Sequence, residues 1–276
     1  MNNTIHPCIW FEGNAKEAAT FYCDIFSNSK ITVDTPMVVN IELWGKKMMG
    51  LNGGPMFKIN PSISMFVNCK TAEQTTEIYN KLADGGAPLM QLGKYDWNER
   101  YGWIKDKYGL TWQIMPGGEE KISPSLLFTG EKFGKAEAAI KFYTSVFSNS
   151  NIDVLQLYPN ETPFASKVLF SEYTLNQYNL ITMDGPGEHA FTFNEALSFV
   201  VECNNQEEID YYWNTFTERG EESMCGWLKD QFGISWQIVP AILGKLMSDP
   251  EKAPRVMQAF MQMKNFDIAA LEKAAE

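Results

Sequence analysis

A long internal repeat constrains this chain more than any other feature of its sequence. Residues 21–31 return with small changes as residues 142–152, and residues 101–116 return as residues 225–240. Both matches occur in the same order, offset by a little over 120 positions. A repeat of that length is too long for a solenoid unit and is typical of a small domain. The sequence therefore predicts two copies of one module, followed by a tail.

The domain limits follow from this repeat. At roughly 150 residues per domain as a prior, a chain of 276 residues holds about two domains. Module 1 is predicted at residues 1–120, module 2 at residues 121–240, and a helical tail at residues 241–276. Each module is expected to carry its own sheet and helices, and the tail is expected to pack across both modules as a strap.

Hydrophobic periodicity predicts two βαβββ units in each module. The first strand alternates, which puts His6, Cys8 and Trp10 on one face and apolar residues on the other. A helical apolar stripe and further short strands follow, and the same order restarts inside the module at about Ile63. The chain thus holds four βαβββ units, which makes the fold class α+β.

Helix starts are predicted from capping residues. Asn14, with Glu17 three residues later, resembles a capping box, and Thr71 is placed to cap the second helix. Asp267 is placed to cap a short last helix in the tail.

Composition excludes several classes of partner. Acidic residues number 34 against 23 basic ones, so the net charge is -11, which disfavours nucleic acid and anionic membrane surfaces. No apolar run approaches the roughly 20 residues of a membrane span, and the polar start at residues 1–4 is not typical of a secretory signal. The protein is expected to be soluble and cytoplasmic.

Cysteine and histidine are too sparse for a dedicated metal cage. The five cysteines are scattered and form no Cys-x-x-Cys pair, so we expect reduced thiols used in packing. Of the two histidines, His6 lies on a strand and His189 lies in a turn-rich stretch that predicts a surface loop.

The repeated motif Gly-Trp-x-x-Asp-x-[Tyr/Phe]-Gly-x-x-Trp-Gln-Ile, the alanine-rich helix ending in Phe-Tyr, and the paired βαβββ units together resemble the vicinal oxygen chelate superfamily. Within it the chain is most similar to the PhnB-like branch, often described as 3-demethylubiquinone 3-methyltransferase-like. The resemblance implies two glyoxalase-like modules whose βαβββ units form open, curled sheets, here called cups. It implies nothing definite about substrate.

Many members of that superfamily hold a divalent metal with His and Glu side chains inside the cup. Carried onto this chain, the resemblance places the ligand positions at His6, Ser62 and Gln113 in module 1. In module 2 it places them at Ser123, Glu195 and Gln237. Strand alternation independently turns the two glutamines away from the bulky tryptophan face, toward the cup. The residues expected to line the cups are His6, Cys8, Trp10, Ser62, Trp103, Gln113, Ser123, Glu195, Trp227 and Gln237.

These side chains predict no cofactor. One imidazole with two neutral oxygens is too weak a donor set for a transition ion. Some relatives assemble each cup from the first half of one module and the second half of the other. In that swapped arrangement His6, Glu195 and Gln237 share a cup and could hold a divalent metal weakly. No catalytic residue is assigned, so enzyme and binding protein both stay open.

The leading functional hypothesis is binding of a small organic molecule in an aromatic-lined cup, of the bleomycin-resistance kind. Large flat surfaces for stacking or cation–π contact are offered by Trp10, Trp44, Trp97, Trp103 and Trp227. The alternative is a divalent-metal-dependent lyase, isomerase or dioxygenase. A doubly wound methyltransferase is disfavoured, because no glycine-rich turn follows an early strand. Besides a small-molecule ligand, the expected partner is none or a second copy of the chain, since the tandem modules could pair within one monomer.

Overall fold

The computed structural model describes residues 4–276, so Met1, Asn2 and Asn3 of the polar start lie outside the described residues. The strands of module 1 are β1 (Thr4–Phe11), β2 (Lys30–Asp34), β3 (Val38–Leu43), β4 (Lys46–Asn52), β5 (Ile63–Cys69), β6 (Ala87–Tyr95), β7 (Asn98–Lys105) and β8 (Thr111–Pro116). Those of module 2 are β9 (Lys121–Phe128), β10 (Asn151–Leu157), β11 (Val168–Leu175), β12 (Tyr178–Asp184), β13 (Leu197–Cys203), β14 (Glu221–Glu222), β15 (Trp227–Lys229) and β16 (Ser235–Pro240).

Four helices belong to the modules and three to the tail. The module helices are α1 (Ala15–Ile25), α2 (Ala72–Ala83), α3 (Ala136–Val146) and α4 (Gln206–Thr217), with a 3₁₀ turn at Gly130–Lys132 before α3. The tail helices are α5 (Leu243–Met247), α6 (Ala253–Phe260) and α7 (Ile268–Ala274). Within residues 4–276 we find no helix with the length and apolar character needed to cross a membrane.

The sixteen strands form two eight-stranded sheets, and each sheet takes four strands from each module. The first sheet has the order β14, β15, β16, β13, β1, β4, β3, β2. The second sheet has the order β10, β11, β12, β9, β5, β8, β7, β6. The two βαβββ units of one module therefore lie in different sheets, which is the swapped arrangement. The modules do not each carry a sheet of their own.

In the middle of each sheet, an antiparallel pair of strands joins the half from one module to the half from the other. In the first sheet β1 pairs with β13, so that His6 lies opposite Val200. In the second sheet β5 pairs with β9, so that Phe66 lies opposite Ser123. On its other side, Val200 is in register with Gln237 on β16, so His6 and Gln237 belong to the same sheet. Gln113 lies in the other sheet.

Strand alternation assigns one face of each sheet to the helices. On β1 the residues Ile5, Ile9 and Phe11 are buried in the main hydrophobic core, as the period of two requires. Trp112 and Trp236 occupy equivalent places on β8 and β16, and both are fully buried. The opposite face of each sheet is the open, cup face.

The helix caps agree with the sequence in two of three places. Thr71 accepts a hydrogen bond from the amide of Gln74, and Asp267 accepts one from the amide of Ala270, as predicted. Asn14 makes no such bond, so the predicted capping box is wrong. The amide of Ala15 donates instead to the side chain of Asn52, which reaches the helix start from the end of β4.

The tail packs on module 2. Its buried residues are Val256, Phe266, Leu271 and Ala275. The side chain of Gln206 on α4 donates to the carbonyl of Phe266 and accepts from the amide of Ile268. The sequence predicts a strap across both modules, whereas these hydrogen bonds join the tail to α4 of module 2.

Candidate functional site

The floor of the second cup is a hydrogen-bonded glutamine. Gln113 on β8 is almost fully buried, and its amide oxygen accepts from the Tyr101 hydroxyl at 2.7 Å. Its amide nitrogen donates to the hydroxyl of Ser64 at 2.8 Å and reaches that of Ser125 at 3.5 Å. These partners lie on β7, β5 and β9, so one side chain connects three neighbouring strands. The amide orientation is fixed by the network.

Above this floor lies a cavity of about 560 Å³, which we call the cup cavity. It is lined by Phe66, Trp97, Tyr101, Gln113, Met115, Leu127, Val154, Gln156, Tyr158, Leu169, Phe170, Met183, Asp184 and Gly185. The lining is mainly aromatic and aliphatic, with a small number of polar groups. That composition and size are typical of a small-molecule site.

Aromatic contacts give the cup cavity fixed walls. The rings of Phe66 and Phe170 lie 6.1 Å apart at its base. At the mouth, Trp97 stacks on Tyr95 at 5.0 Å and meets the edge of Tyr101 at 5.4 Å. Trp97 is nevertheless 60% exposed, so its free surface is available to a guest.

The acidic group in the lining of the cup cavity is hydrogen-bonded to backbone amides. Among its described lining residues Asp184 carries the one carboxyl group. That carboxyl accepts hydrogen bonds from the amides of Gly134, Ala136 and Val168, which lower its pKa, but burial outweighs them and raises the pKa. The carboxyl group is engaged in holding the start of α3, so the cavity suits a neutral guest better than a cation.

The first cup has a different floor. Gln237 on β16 donates to Ser198 at 2.9 Å, as Gln113 donates to Ser64. Where the second cup has Ser125, the first has Cys8, whose thiol is hydrogen-bonded to Gln237 and Ser198. Burial raises the pKa of the Cys8 thiol to about 11 in spite of these bonds, so it is a protonated packing group.

His6 lies beside this floor, fully buried. Within residues 4–276 neither of its ring nitrogens has a hydrogen-bond partner. Burial, together with the smaller effect of the Lys47 charge, lowers the pKa of His6 to about 3. Lys47 itself pairs with Glu202 at 2.5 Å, across the open face of the sheet. His6 is therefore a neutral imidazole at neutral pH.

The residues of the first cup do not fit a metal ion. The amide of Trp10 donates to the carbonyl of Ala196, so Glu195 lies at the opposite end of β1 from His6. The Glu195 carboxylate instead pairs with Lys229 at 2.7 Å. Across the described chain, residues 4–276, there is no group of three or more His, Cys, Asp or Glu side chains placed to hold a metal. The swapped arrangement is present, but it does not unite His6, Glu195 and Gln237 at one point.

The expected equivalence of Ser62 and Glu195 is wrong by one residue. Ser64 and Ser198 make the same hydrogen bond to their glutamines, which fixes the correspondence between β5 and β13. Ser62 then corresponds to Ala196. Ser62 is buried just before β5, and the Ser123 hydroxyl is buried on β9 without a hydrogen-bond partner among residues 4–276. Neither residue lines the cup cavity.

The predicted tryptophans separate into three groups. Trp103 lies on the cup face of β7, opposite Gln113. Trp10 and Trp227 meet at the rim of the first cup, 6.0 Å apart. Trp44 packs edge-on against Phe26 in the core and does not line a cup. His189 is half-buried, and its ring is hydrogen-bonded to the carbonyl of Pro186 in its own loop.

Sequence reasoning missed the residues that make the larger cavity. Phe66, Tyr101 and Phe170 were not among the predicted lining residues, although all three line it. Alternation on β5 was the available signal for Phe66, because it shares a face with Ser62 and Ser64. Phe170 was harder to find, because it shares its half-buried face of β11 with the polar residues Glu172 and Thr174.

Two eight-stranded sheets, each assembled from both halves of a tandem repeat and each open on one face, define a two-module glyoxalase-fold protein. The family model for 3-demethylubiquinone-9 3-methyltransferase matches the chain twice, at residues 3–115 and 120–239. The chain belongs to this family, the PhnB-like branch of the glyoxalase fold. Its mixed sheets are not the doubly wound parallel sheet of a nucleotide-binding methyltransferase.

Two solved structures are similar to the chain in different ways. The PhnB protein from Bacillus cereus is 32% identical, with a TM-score of 0.38, over 40% of this chain and 96% of its own. Glyoxalase I from Zea mays matches 90% of this chain and 97% of its own, with 12% identity and a TM-score of 0.59. The second likeness concerns the fold, and it extends over both modules. No curated protein matches the chain.

Proposed function

We propose that the protein binds a small, neutral, aromatic organic molecule in the cup cavity of the second sheet. The observation that carries this proposal is the cavity of about 560 Å³ with aromatic walls and a fixed polar floor. Drug-sized ligands are bound in pockets of roughly 300–1,000 Å³ that combine apolar walls with a few oriented polar groups. The cup cavity has both properties.

The polar floor supplies orientation. The Gln113 amide oxygen is occupied by the Tyr101 hydroxyl, and its amide nitrogen by serine hydroxyls. The Tyr101 oxygen keeps an acceptor lone pair after donating its proton, so a guest with one N–H or O–H group can bind to it. Burial raises the pKa of Tyr101 beyond its ordinary range, which keeps the hydroxyl protonated.

The exposed indole at the mouth of the cup cavity adds contact area for a guest. Trp97 is 60% exposed and held in place by its stack on Tyr95. A planar guest that enters the cup cavity covers this surface, and burying apolar area stabilises the complex by about 25 cal/mol per Å². We also propose that the chain acts as a monomer, because the pairing of β1 with β13 and of β5 with β9 occurs within one chain.

Prodan, a neutral naphthalene dye whose emission shifts in apolar surroundings, tests the site. We expect saturable binding of one dye per chain. Trp97→Ala should weaken that binding at least about fivefold, because a stacked aromatic wall is lost. Tyr211→Ala is the matched control, since Tyr211 is a partly exposed aromatic on α4 outside the cavity. Equal dye affinity in both variants would contradict the proposal.

Two further measurements address catalysis and assembly. Metal content is measured on protein purified without chelators, with His6→Ala for comparison. A stoichiometric ion that is lost in the variant would overturn the binder in favour of the metal-dependent enzyme. Light scattering should give the mass of one chain, 31.4 kDa. A stable mass of twice that value would contradict the monomer.

A further inference from the structure

A second cavity lies at the rim of the first cup, and its lining differs in chemistry from that of the cup cavity. This rim cavity has a volume of about 380 Å³. It is lined by Trp10, Met56, Phe57, Glu195, Glu221, Glu222, Ser223, Met224, Cys225, Trp227, Leu228, Lys229 and Ser235. It shares no lining residue with the cup cavity.

Three aromatic rings form one wall of the rim cavity. The ring of Trp10 lies 5.0 Å from that of Phe57 and 6.0 Å from that of Trp227, and both pairs are close to perpendicular. Rings at such angles enclose a corner in which a guest can contact more than one π surface. Electrostatic attraction between a ring face and a cation acts within about 6 Å of the ring centroid.

The aromatic corner is rigid before any guest arrives. The indole N–H of Trp10 donates to the carbonyl of Gly54 at 2.7 Å. Gly53 lies so close to the same indole that a Cβ there would come within 2.2 Å of it. The backbone of this loop is therefore packed directly on the Trp10 ring, which fixes its orientation. Preorganised walls reduce the entropic cost of binding.

Carboxylates dominate the polar part of the rim cavity. Its lining carries three of them, on Glu195, Glu221 and Glu222, against the single ammonium of Lys229. Glu195 is paired with Lys229, and Glu222 is 3.0 Å from Lys264, which lies outside the lining. Even with Lys264 counted, three carboxylates face two ammonium groups. The chain as a whole carries a charge of -11, which attracts cations to this mouth.

We propose that the rim cavity is a second binding site, specific for an organic cation of the substituted-ammonium type. An aromatic corner attracts a poorly hydrated, bulky cation, and the surplus carboxylate charge adds to that attraction. A bare divalent ion is a poorer fit, because it requires several converging oxygen or nitrogen ligands. The rim cavity offers dispersed carboxylates and flat rings instead.

Choline and its neutral carbon isostere dimethylbutanol test this proposal, since they share shape and differ in charge. Calorimetric titration at low ionic strength should show choline binding about tenfold more tightly than the isostere. Added salt should weaken choline binding, because the carboxylates of Glu221 and Glu222 are exposed. Equal binding of the two probes would overturn the proposal.

Variants locate the site. Trp227→Leu should lower choline affinity at least about fivefold, since one ring of the corner is lost. The double variant Glu221→Gln with Glu222→Gln alters two exposed side chains on the short strand β14. It should reduce the preference for choline over dimethylbutanol. Choline binding unchanged in both variants would overturn the assignment.

Trp97→Ala, in the cup cavity, is the control. It should leave choline binding unchanged while weakening Prodan binding. Loss of choline binding in Trp97→Ala would place the cation in the second cup and overturn the rim site. Loss of Prodan binding alone would bear only on the function proposed for the cup cavity, so the two failures are distinguishable.

Discussion

The hydroxyl of Tyr22 on α1 donates to the carboxylate of Asp106, between β7 and β8, at 2.8 Å, and so links a helix of the first sheet to a turn of the second. The same link exists in module 2, where Tyr143 on α3 donates to Asp230 at 2.7 Å. Each module is divided between two sheets. These two buried hydrogen bonds connect the halves of each module.

Asp106 and Asp230 should be equally important for stability. Each also accepts an indole N–H, from Trp112 at 2.8 Å and from Trp236 at 2.9 Å, and two backbone amides from its own turn. Replacing either carboxylate by asparagine sets an amide N–H₂ against these donors. Asp106→Asn and Asp230→Asn should each lower the free energy of unfolding by about 2–4 kcal/mol.

Urea denaturation followed by tryptophan fluorescence measures this effect. Asp24→Asn, at an exposed position on α1, is the control and should change the free energy of unfolding by less than about 0.5 kcal/mol. A loss confined to Asp106→Asn would show that the two modules do not share this device.

His6 should make the protein sensitive to acid. Its pKa is about 3 in the folded state against an ordinary 6.5, because burial disfavours the imidazolium and Lys47 repels it. Between these values the unfolded chain binds a proton that the folded chain does not. The stability contributed by neutral His6 is complete above pH 6.5 and is lost as the pH falls toward 3.

We expect the free energy of unfolding to fall by about 2 kcal/mol from this group alone between pH 6.5 and pH 5, at about 1.4 kcal/mol per pH unit. The quantity to measure is the difference in that slope between the natural protein and His6→Met, since carboxylates contribute to both. His189→Gln removes the other histidine, and its slope should match that of the natural protein. An unchanged slope in His6→Met would show that His6 is accessible to water when folded.

Much of this fold could be predicted from the repeat, because two copies of one pattern must fold alike. The cup-facing side of Gln113 and Gln237 followed from strand alternation, which depends only on local geometry. The position of Glu195 could not be derived, because the correspondence between β5 and β13 depends on which serine contacts which glutamine. The complete burial of His6 could not be derived either, because it depends on packing among distant strands.

The two cups differ at the position of Tyr101. It orients Gln113, while at the matching position Cys225 contacts the tail through the carbonyl of Phe260. Tyr101→Phe should lower the free energy of unfolding by about 1 kcal/mol, because the buried amide oxygen loses its donor. Tyr95→Phe removes a hydroxyl whose bond to Gln91 is exposed, and should cost less. Chemical denaturation of the two variants distinguishes a buried bond from an exposed one.

Gly226, directly before β15, is one of the residues at which the tail contacts the first sheet. Its amide donates to the carbonyl of Lys264 at 2.8 Å, beside the bond from Cys225 to Met263 at 2.7 Å. Its φ is +78°, and a Cβ at this position would lie 2.5 Å from the Phe266 ring and from the carbonyl oxygen of Ile238. An alanine there has an unfavourable φ and must also displace the tail.

Gly118→Ala isolates the first of these costs. Gly118 has a φ of +82°, and a Cβ added there would contact no atom within 4 Å. Its replacement should therefore cost only the left-handed backbone penalty of about 1–2 kcal/mol. Gly226→Ala should cost at least about 2 kcal/mol more, because a close contact in a packed interior forces neighbouring atoms to move. Thermal unfolding of the two variants measures the difference, and equal melting temperatures would contradict the close packing of Gly226 against Phe266 and Ile238.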